Sequence, residues 1–164
     1  MATATYIPIA TQTLGSAATS ITFSSIPGTY TDLRLVLTCT TAASDSIELQ
    51  LNGDTSTNYS LVYISGSGAA ANSNNQTSNS RIRINFNGGT STTVPTMHTV
   101  DFFSYAGATN KTLLSTVSGD LNGSGGVDVT VNLWRSTAAI TSIKISCGSN
   151  GNLSTGTIAT LFGI

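Results

Sequence analysis

The chain has 164 residues, 39% of them hydrophobic and only 8% charged, with a formal net charge of -1. A single domain over residues 1–164 is expected, since a chain near this length buries roughly 70% of its unfolded surface without help from a metal or disulfide. The 6 basic residues are scattered, which excludes a nucleic-acid partner, because counterion release from phosphates needs clustered Lys and Arg.

Residues 6–14 (YIPIATQTL) are rich in β-branched side chains and read as a first strand. A small-residue turn at 15–18 leads to a short strand at 20–24, and Pro27-Gly28 makes a second turn. Residues 32–39 carry the clearest pattern. There Leu33, Leu35, Leu37 and Cys39 alternate with Asp32, Arg34, Val36 and Thr38, as in a strand with one buried face. Strand 46–52 places Ile47, Leu49 and Leu51 inward, and Asn52-Gly53-Asp54 is a hairpin-type turn. Strand 58–65 follows, with Leu61 and Tyr63 on one face and Val62 and Ile64 on the other.

The stretch 66–80 (GSGAAANSNNQTSNS) has no periodicity and no large apolar residue, and reads as a long surface loop. Alternation resumes at 81–87, with Ile82, Ile84 and Phe86 inward and Arg81 and Arg83 on a solvated face. After a polar loop at 88–95, strand 96–105 puts His98, Val100 and Phe102 on one side and Met97, Thr99, Asp101 and Phe103 on the other. Strands at 111–118, 128–136, 140–147 and 155–162 complete the set. A glycine-rich turn is expected at 119–126, and Val129, Val131 and Leu133 form the expected buried face of the strand after it. No window shows helical spacing. The fold class is all-β: an antiparallel β-sandwich, jelly-roll-like, of about ten strands.

Ser and Thr make up about a third of the chain, well above ordinary usage. Strict alternation and the strand preference of Thr favour order over disorder. A neutral, hydroxyl-rich surface suits a protein packed into an assembly, because few charges need to be desolvated. Cys39 and Cys147 each end an apolar alternating face and read as small, buried, reduced side chains rather than a disulfide. No secretory h-region and no apolar run long enough to cross a bilayer is present, so synthesis in a cytoplasm without signal-peptide export, and no membrane partner, are expected.

No catalytic site is expected. His98 is the only histidine, and Asp101, three residues away on a strand, lies on the opposite face and cannot orient it. The acidic residues are dispersed rather than paired, which excludes glycosidase chemistry. Asp120, Asn122, Ser124 and Asp128 fall at oxygen-ligand positions of a calcium loop with Gly125 at the sixth, but Val131 occupies the twelfth, where a bidentate Glu is required. The expectation is a hairpin connection with no bound metal, and no cofactor. Trp134 shares its face with Thr130 and Asn132, which makes it either core of a second sheet or an interface anchor.

The residues 9–37, IATQTLGSAATSITFSSIPGTYTDLRLVL, resemble a group of small tailed-bacteriophage virion proteins with a PIATTTLGS-like opening, a SITFSSIP-like strand and a TYTDL-like turn. The resemblance continues through Leu51-Asn52-Gly53-Asp54, Asn58-Tyr59-Ser60, Tyr105, Asn110-Lys111-Thr112 and the closing Leu161-Phe162-Gly163-Ile164, and is weak over 66–95. It implies an all-β protein located in a phage virion and supplies no catalytic residues.

Two functions follow as expectations. The first is a capsid decoration (cement) protein that stabilises the head by binding across capsid subunits, as a homotrimer, with the major capsid protein or other virion proteins as partners. The alternative is a tail-fibre or receptor-binding head domain recognising host glycans, with Tyr59 or Trp134 stacking on sugar rings. Interface candidates are Trp134, as an aromatic anchor, and Tyr6, Ile7, Leu161, Phe162 and Ile164, because apolar residues at chain ends are expected to be covered.

Overall fold

The computed structural model describes residues 5–86, 89–149 and 151–164. These form an antiparallel β-sandwich without helices: twelve strands in an eight-stranded and a four-stranded sheet. The strands are β1 (Ile7–Thr13), β2 (Ser20–Phe23), β3 (Leu33–Cys39), β4 (Ile47–Leu51), β5 (Tyr59–Gly66), β6 (Ala71–Asn79), β7 (Ile82–Arg83), β8 (Thr96–Phe103), β9 (Lys111–Asp120), β10 (Gly125–Trp134), β11 (Ile143–Cys147) and β12 (Ile158–Gly163). The large sheet runs β1-β12-β3-β8-β9-β10-β5-β6 and the small one β2-β11-β4-β7. Strands that switch sheets along the chain make the connectivity jelly-roll-like.

The alternation in β3 does what its pattern demands. Leu33, Leu35, Leu37 and Cys39 are buried, facing Ile47, Leu49 and Leu51 of β4 and Ile143 and Ile145 of β11 across one core cluster. Both cysteines are free and buried, and burial pushes the Cys39 thiol up to about 11 and the Cys147 thiol up to about 12. They therefore stay protonated and behave as small apolar groups.

The C-terminal strand β12 is inserted between β1 and β3. Its end is locked by backbone bonds: Thr31 N–H and Asp32 N–H donate to Ile164 O (2.9 and 3.3 Å), and Ile164 N–H donates to Asp32 O (3.0 Å). Above this lock the Tyr30 ring lies flat on Gly163, where a Cβ would fall inside the ring's van der Waals envelope. Asp32 also accepts Ser104 N–H (2.6 Å), and the Tyr105 hydroxyl donates to Pro27 O, tying the same turn to the end of β8.

Four expectations are corrected. Residues 66–80 are not a structureless loop: β6 occupies most of them and pairs with β5. Alternation reveals a strand only when one face is buried, and residues 71–78 are exposed on both. The segment 81–87 is a strand only at Ile82–Arg83, with Asn87 (like Gly88 and residues 1–4) outside the described residues. The turn at 119–126 contracts to 121–124, because Asn122 (φ 63°) and Gly123 (φ 89°) supply the two left-handed residues of a tight hairpin and let β9 and β10 pair up to Asp120 and Gly125.

The fourth correction concerns β10, whose faces are inverted. Asp128, Thr130, Asn132 and Trp134 point inward, and Val129 and Val131 are exposed. Register dictates this. Asn132 sits opposite both Leu113 of β9 and Leu61 of β5, which are themselves buried, and Trp134 sits opposite Tyr59. Directly paired residues share a face, so the two ladders and one buried Trp outweigh the preference of two valines.

Gly163→Ala should cost about 1–3 kcal/mol through overpacking against Tyr30. In the double variant with Tyr30→Ala the two losses should add to less than their sum, and thermal melting of the four proteins measures this. Leu35→Asp should abolish soluble folding, since an unpaired buried charge costs several kcal/mol, of the order of a domain's whole margin. Retention of the wild-type melting temperature by Leu35→Asp would contradict the face assignment of β3.

Candidate interaction surface

Inversion of β10 leaves apolar side chains on the outside of the large sheet. Val62, Ile64, Val127, Val129, Val131 and Met97 are between 38% and 61% exposed. The ladders make them one patch: Val129 stands between Ile64 of β5 and Thr116 of β9, and Val131 between Val62 and half-buried Leu114. Val127 lies opposite Ser118, which is opposite Met97 of β8. Scattered exposed apolar residues are ordinary, but a contiguous group on adjacent strands is a candidate interaction surface.

Two shallow depressions open on this face. One, of about 670 Å³, lies among Gly66, Pro95, Met97, Gly119, Asp120 and Val127 at the hairpin end. The other, of about 440 Å³, is floored by Ile64, Gly66, Val127 and Val129 and walled by Ala71 and Ser73 of β6. Charge is almost excluded from the patch. On its far side Arg34 and Asp101 neutralise each other through paired bonds of 2.6 and 2.8 Å, and the raised pKa of Arg34 follows chiefly from that contact with Asp101.

The candidate interface residues divide into two groups. Tyr6 and Ile7 are exposed on edge strand β1 or just before it, and the Tyr6 ring meets Phe162 edge-on with centroids 6.1 Å apart. Tyr6 Oη accepts a bond from Arg34 (2.7 Å), so Tyr6, Phe162, Arg34 and Asp101 form a second surface cluster. Ile164 is half-buried in the Asp32 lock. Trp134 and Leu161, by contrast, belong to the interior of the single chain. Strand alternation at the C-terminus sends Leu161 into the core while Phe162 faces out.

Trp134 is held by polar bonds as well as packing. Its Nε1–H donates to Asp54 Oδ2 (2.8 Å), Asn58 adds a bond at 3.0 Å, and Ser56 N–H adds one at 2.8 Å. The Trp134 N–H, followed by the Asn58 amide, holds the Asp54 carboxyl down at about 2. Tyr59 stacks on Trp134 at 6.3 Å and 14°, and its hydroxyl binds the Leu51 and Asp54 backbone. Both rings are therefore spent on each other, and the expectation that Tyr59 or Trp134 stacks on a sugar is corrected.

The oxygen set of the weak calcium pattern is also separated. Asp120 accepts Gly123 N–H (2.9 Å) within the hairpin turn, whereas Asp128 is buried inside the sandwich and accepts Phe86 N–H (2.6 Å). Asp128 lies three rungs down the ladder from Gly125, on the order of 10 Å from the turn that holds Asn122 and Ser124. Among the described residues, no three His, Cys, Asp or Glu gather closely enough to hold a metal ion. His98 is fully buried, with Nε2 bonded to Thr96 Oγ1 (3.0 Å), and Asp101 points to the other face, where Arg34 engages it.

The outer valine patch is the surface that sequence reasoning missed. Half of its signal was present, since alternation in β5 separates Val62 and Ile64 from Leu61 and Tyr63. The β10 half required knowledge of register.

Fold and site together define the class: an antiparallel β-sandwich with an exposed, largely apolar patch on the outer face of its large sheet. A scan against models of protein families and a search of curated proteins give no match. Among solved structures, the chain is similar to Caenorhabditis elegans galectin LEC-6, with a TM-score of 0.41 and 14% identity over 91% of this chain and 94% of that chain.

Burial depresses the His98 pKa from 6.5 to about 4. The unfolded chain thus binds the proton more readily, and stability is retained above about pH 6.5 and lost progressively as pH falls toward about 4. The full effect is roughly 3 kcal/mol, and urea titrations across this range should show it, with a flatter profile for His98→Asn. Calcium should leave the melting temperature of both wild type and Asp120→Ala unchanged.

Proposed function

We propose that the chain is a bacteriophage virion structural protein, and specifically a capsid decoration (cement) protein that binds across capsid subunits as a homotrimer. The observation that carries this reading is the uncharged apolar patch of Val62, Ile64, Val127, Val129, Val131 and Met97 on the large sheet. In this reading the patch is covered in the working state, and covering it desolvates little charge, with Asp120 at the hairpin end the acidic side chain that borders it. Sequence resemblance to phage virion proteins supplies the setting.

Cementing is a matter of added interface. Expansion or rupture of the shell must first break the contacts made by the bound protein, and roughly 1,600 Å² of total buried surface suffices for a specific attachment. A homotrimer on a symmetry axis engages three such sites at once, so modest single contacts become a long-lived attachment. The major capsid protein is the partner this reading names, with host cytoplasm as the place of synthesis and the virion as destination.

Quantitative mass spectrometry of purified virions tests the assignment. Hundreds of copies per particle are expected, whereas a few tens or fewer would place the protein in the tail and overturn the cement reading. Val129→Lys should leave the melting temperature within about 1 °C, because the side chain is exposed, yet weaken binding to undecorated heads at least ten-fold, about 1.4 kcal/mol. Unchanged binding by that variant would remove the outer patch from the proposal.

A further inference from the structure

The two sheets have four edges, and three carry recognisable protection against pairing with another chain. Edge strand β1 contains Pro8 and a register shift between Pro8 and Ala10, β2 has four residues and β7 has two. Short strands, bulges and proline are the usual means of blunting an edge. The fourth edge, β6, has none of them over most of its length. It is nine residues long, reads ANSNNQTSN, and contains no proline, glycine or charge. Its irregularity, at Ser78 (φ 59°), lies near the C-terminal end and leaves 71–76 regular against β5.

Strand β6 is also held from one side only. Residues 71–78 are exposed, so the strand buries no apolar side chain of its own and is ordered by its ladder to β5. The Asn75 N–H donates to the neighbouring Asn74 side chain (2.8 Å), a local substitute for a strand partner.

We propose that β6 is a self-pairing edge: two copies of this chain join antiparallel through β6 about a twofold axis at Asn74, continuing one eight-stranded sheet into the other. A twofold perpendicular to the sheet keeps faces matched only if it passes through a residue position, which then pairs with itself. Centred on Asn74, the contact sets Ser73 opposite Asn75 and Asn72 opposite Gln76 of the partner copy. Asn72, Asn74 and Gln76 share the face of Ser65, Tyr63 and Leu61, so their amides form a continuous ladder across the junction. Each amide both donates and accepts, and a neutral strand brings no like charges together. That self-complementarity selects a second copy as the occupant. A closed pair of this kind joins one trimer to the next where three copies associate through another face. It stands independently of where the protein sits in a particle.

Cysteine trapping tests the contact, and the burial of Cys39 and Cys147 keeps the wild-type background silent. Ser73→Cys, Asn74→Cys and Asn75→Cys are each incubated in a glutathione redox buffer, with Asn122→Cys at the hairpin tip as a collision control. At the twofold the Asn74 pair falls within the roughly 4.4–6.8 Å Cα separation a disulfide needs, whereas positions 73 and 75 meet their own copies only diagonally, beyond it. Covalent dimer should therefore form at least ten-fold faster from Asn74→Cys than from the other three. Equal rates, no dimer from any variant, or a maximum at another position would overturn the proposal. A second arm uses charge, because position 74 is exposed and tolerates substitution without unfolding. Asn74→Lys and Asn74→Glu should each be deficient in β6 contact by sedimentation, and their equimolar mixture should recover it. A mixture that behaves as the average of its components would count equally against self-pairing.

Discussion

The placement of the last strand is the constraint on which the rest of the sandwich depends. Strand β1 reaches the large sheet only through β12, and β12 reaches it only through β3. The lock of Thr31 and Asp32 on Ile164 sets the β12–β3 register, and the bare Cα of Gly163 lets the Tyr30 ring close over it. With that register set, Leu161 and Ala159 point into the core beside Leu35 and Leu37. A slip of one residue would send them to solvent and bring Phe162 and Thr160 inside. A few backbone bonds and one glycine thus decide the side on which every apolar group of the strand lies.

Several turn segments converge on one end of the sandwich. The TYTDL turn grips the closing LFGI segment, Tyr105 binds back to the Pro27-Gly28 turn, and Asp54 and Tyr59 hold Trp134. Lys111, fully buried, lies opposite Trp134 and donates to Gly107 O (2.7 Å) and Thr109 O, capping the loop before β9. Burial lowers its pKa, and the carbonyls it meets offset part of that desolvation. These motifs act as fasteners of the fold.

Polarity runs against the usual order on the β9-β10-β5 side of the large sheet. Ser115, Thr130 and Asn132 face the interior while Val127, Val129 and Val131 face outward. A buried hydroxyl or amide costs free energy unless it is paired, and exposed valines forgo burial, so this half of the sheet contributes less to the stability of the isolated chain than the β3 half does. The same arrangement leaves a largely apolar outer face with little charge.

The sequence by itself determined the strands with one wet and one dry face. In β3, β4 and β8 the alternation of Leu33, Leu35 and Leu37, of Ile47, Leu49 and Leu51, and of His98, Val100 and Phe102 matches their burial residue by residue. Periodicity records the solvent boundary, and where that boundary is sharp the pattern is legible. Only the tertiary structure decided β6, β10 and the outer apolar patch. Strand β6 is wet on both faces and leaves no period to read. In β10 both faces carry plausible core residues, and the choice between Trp134 and the valines came from the ladders to β9 and β5, which are pairings distant in sequence. Tyr59 and Trp134 looked available because each is aromatic. They meet only because β5 and β10 are neighbours, a fact of topology that no local pattern encodes.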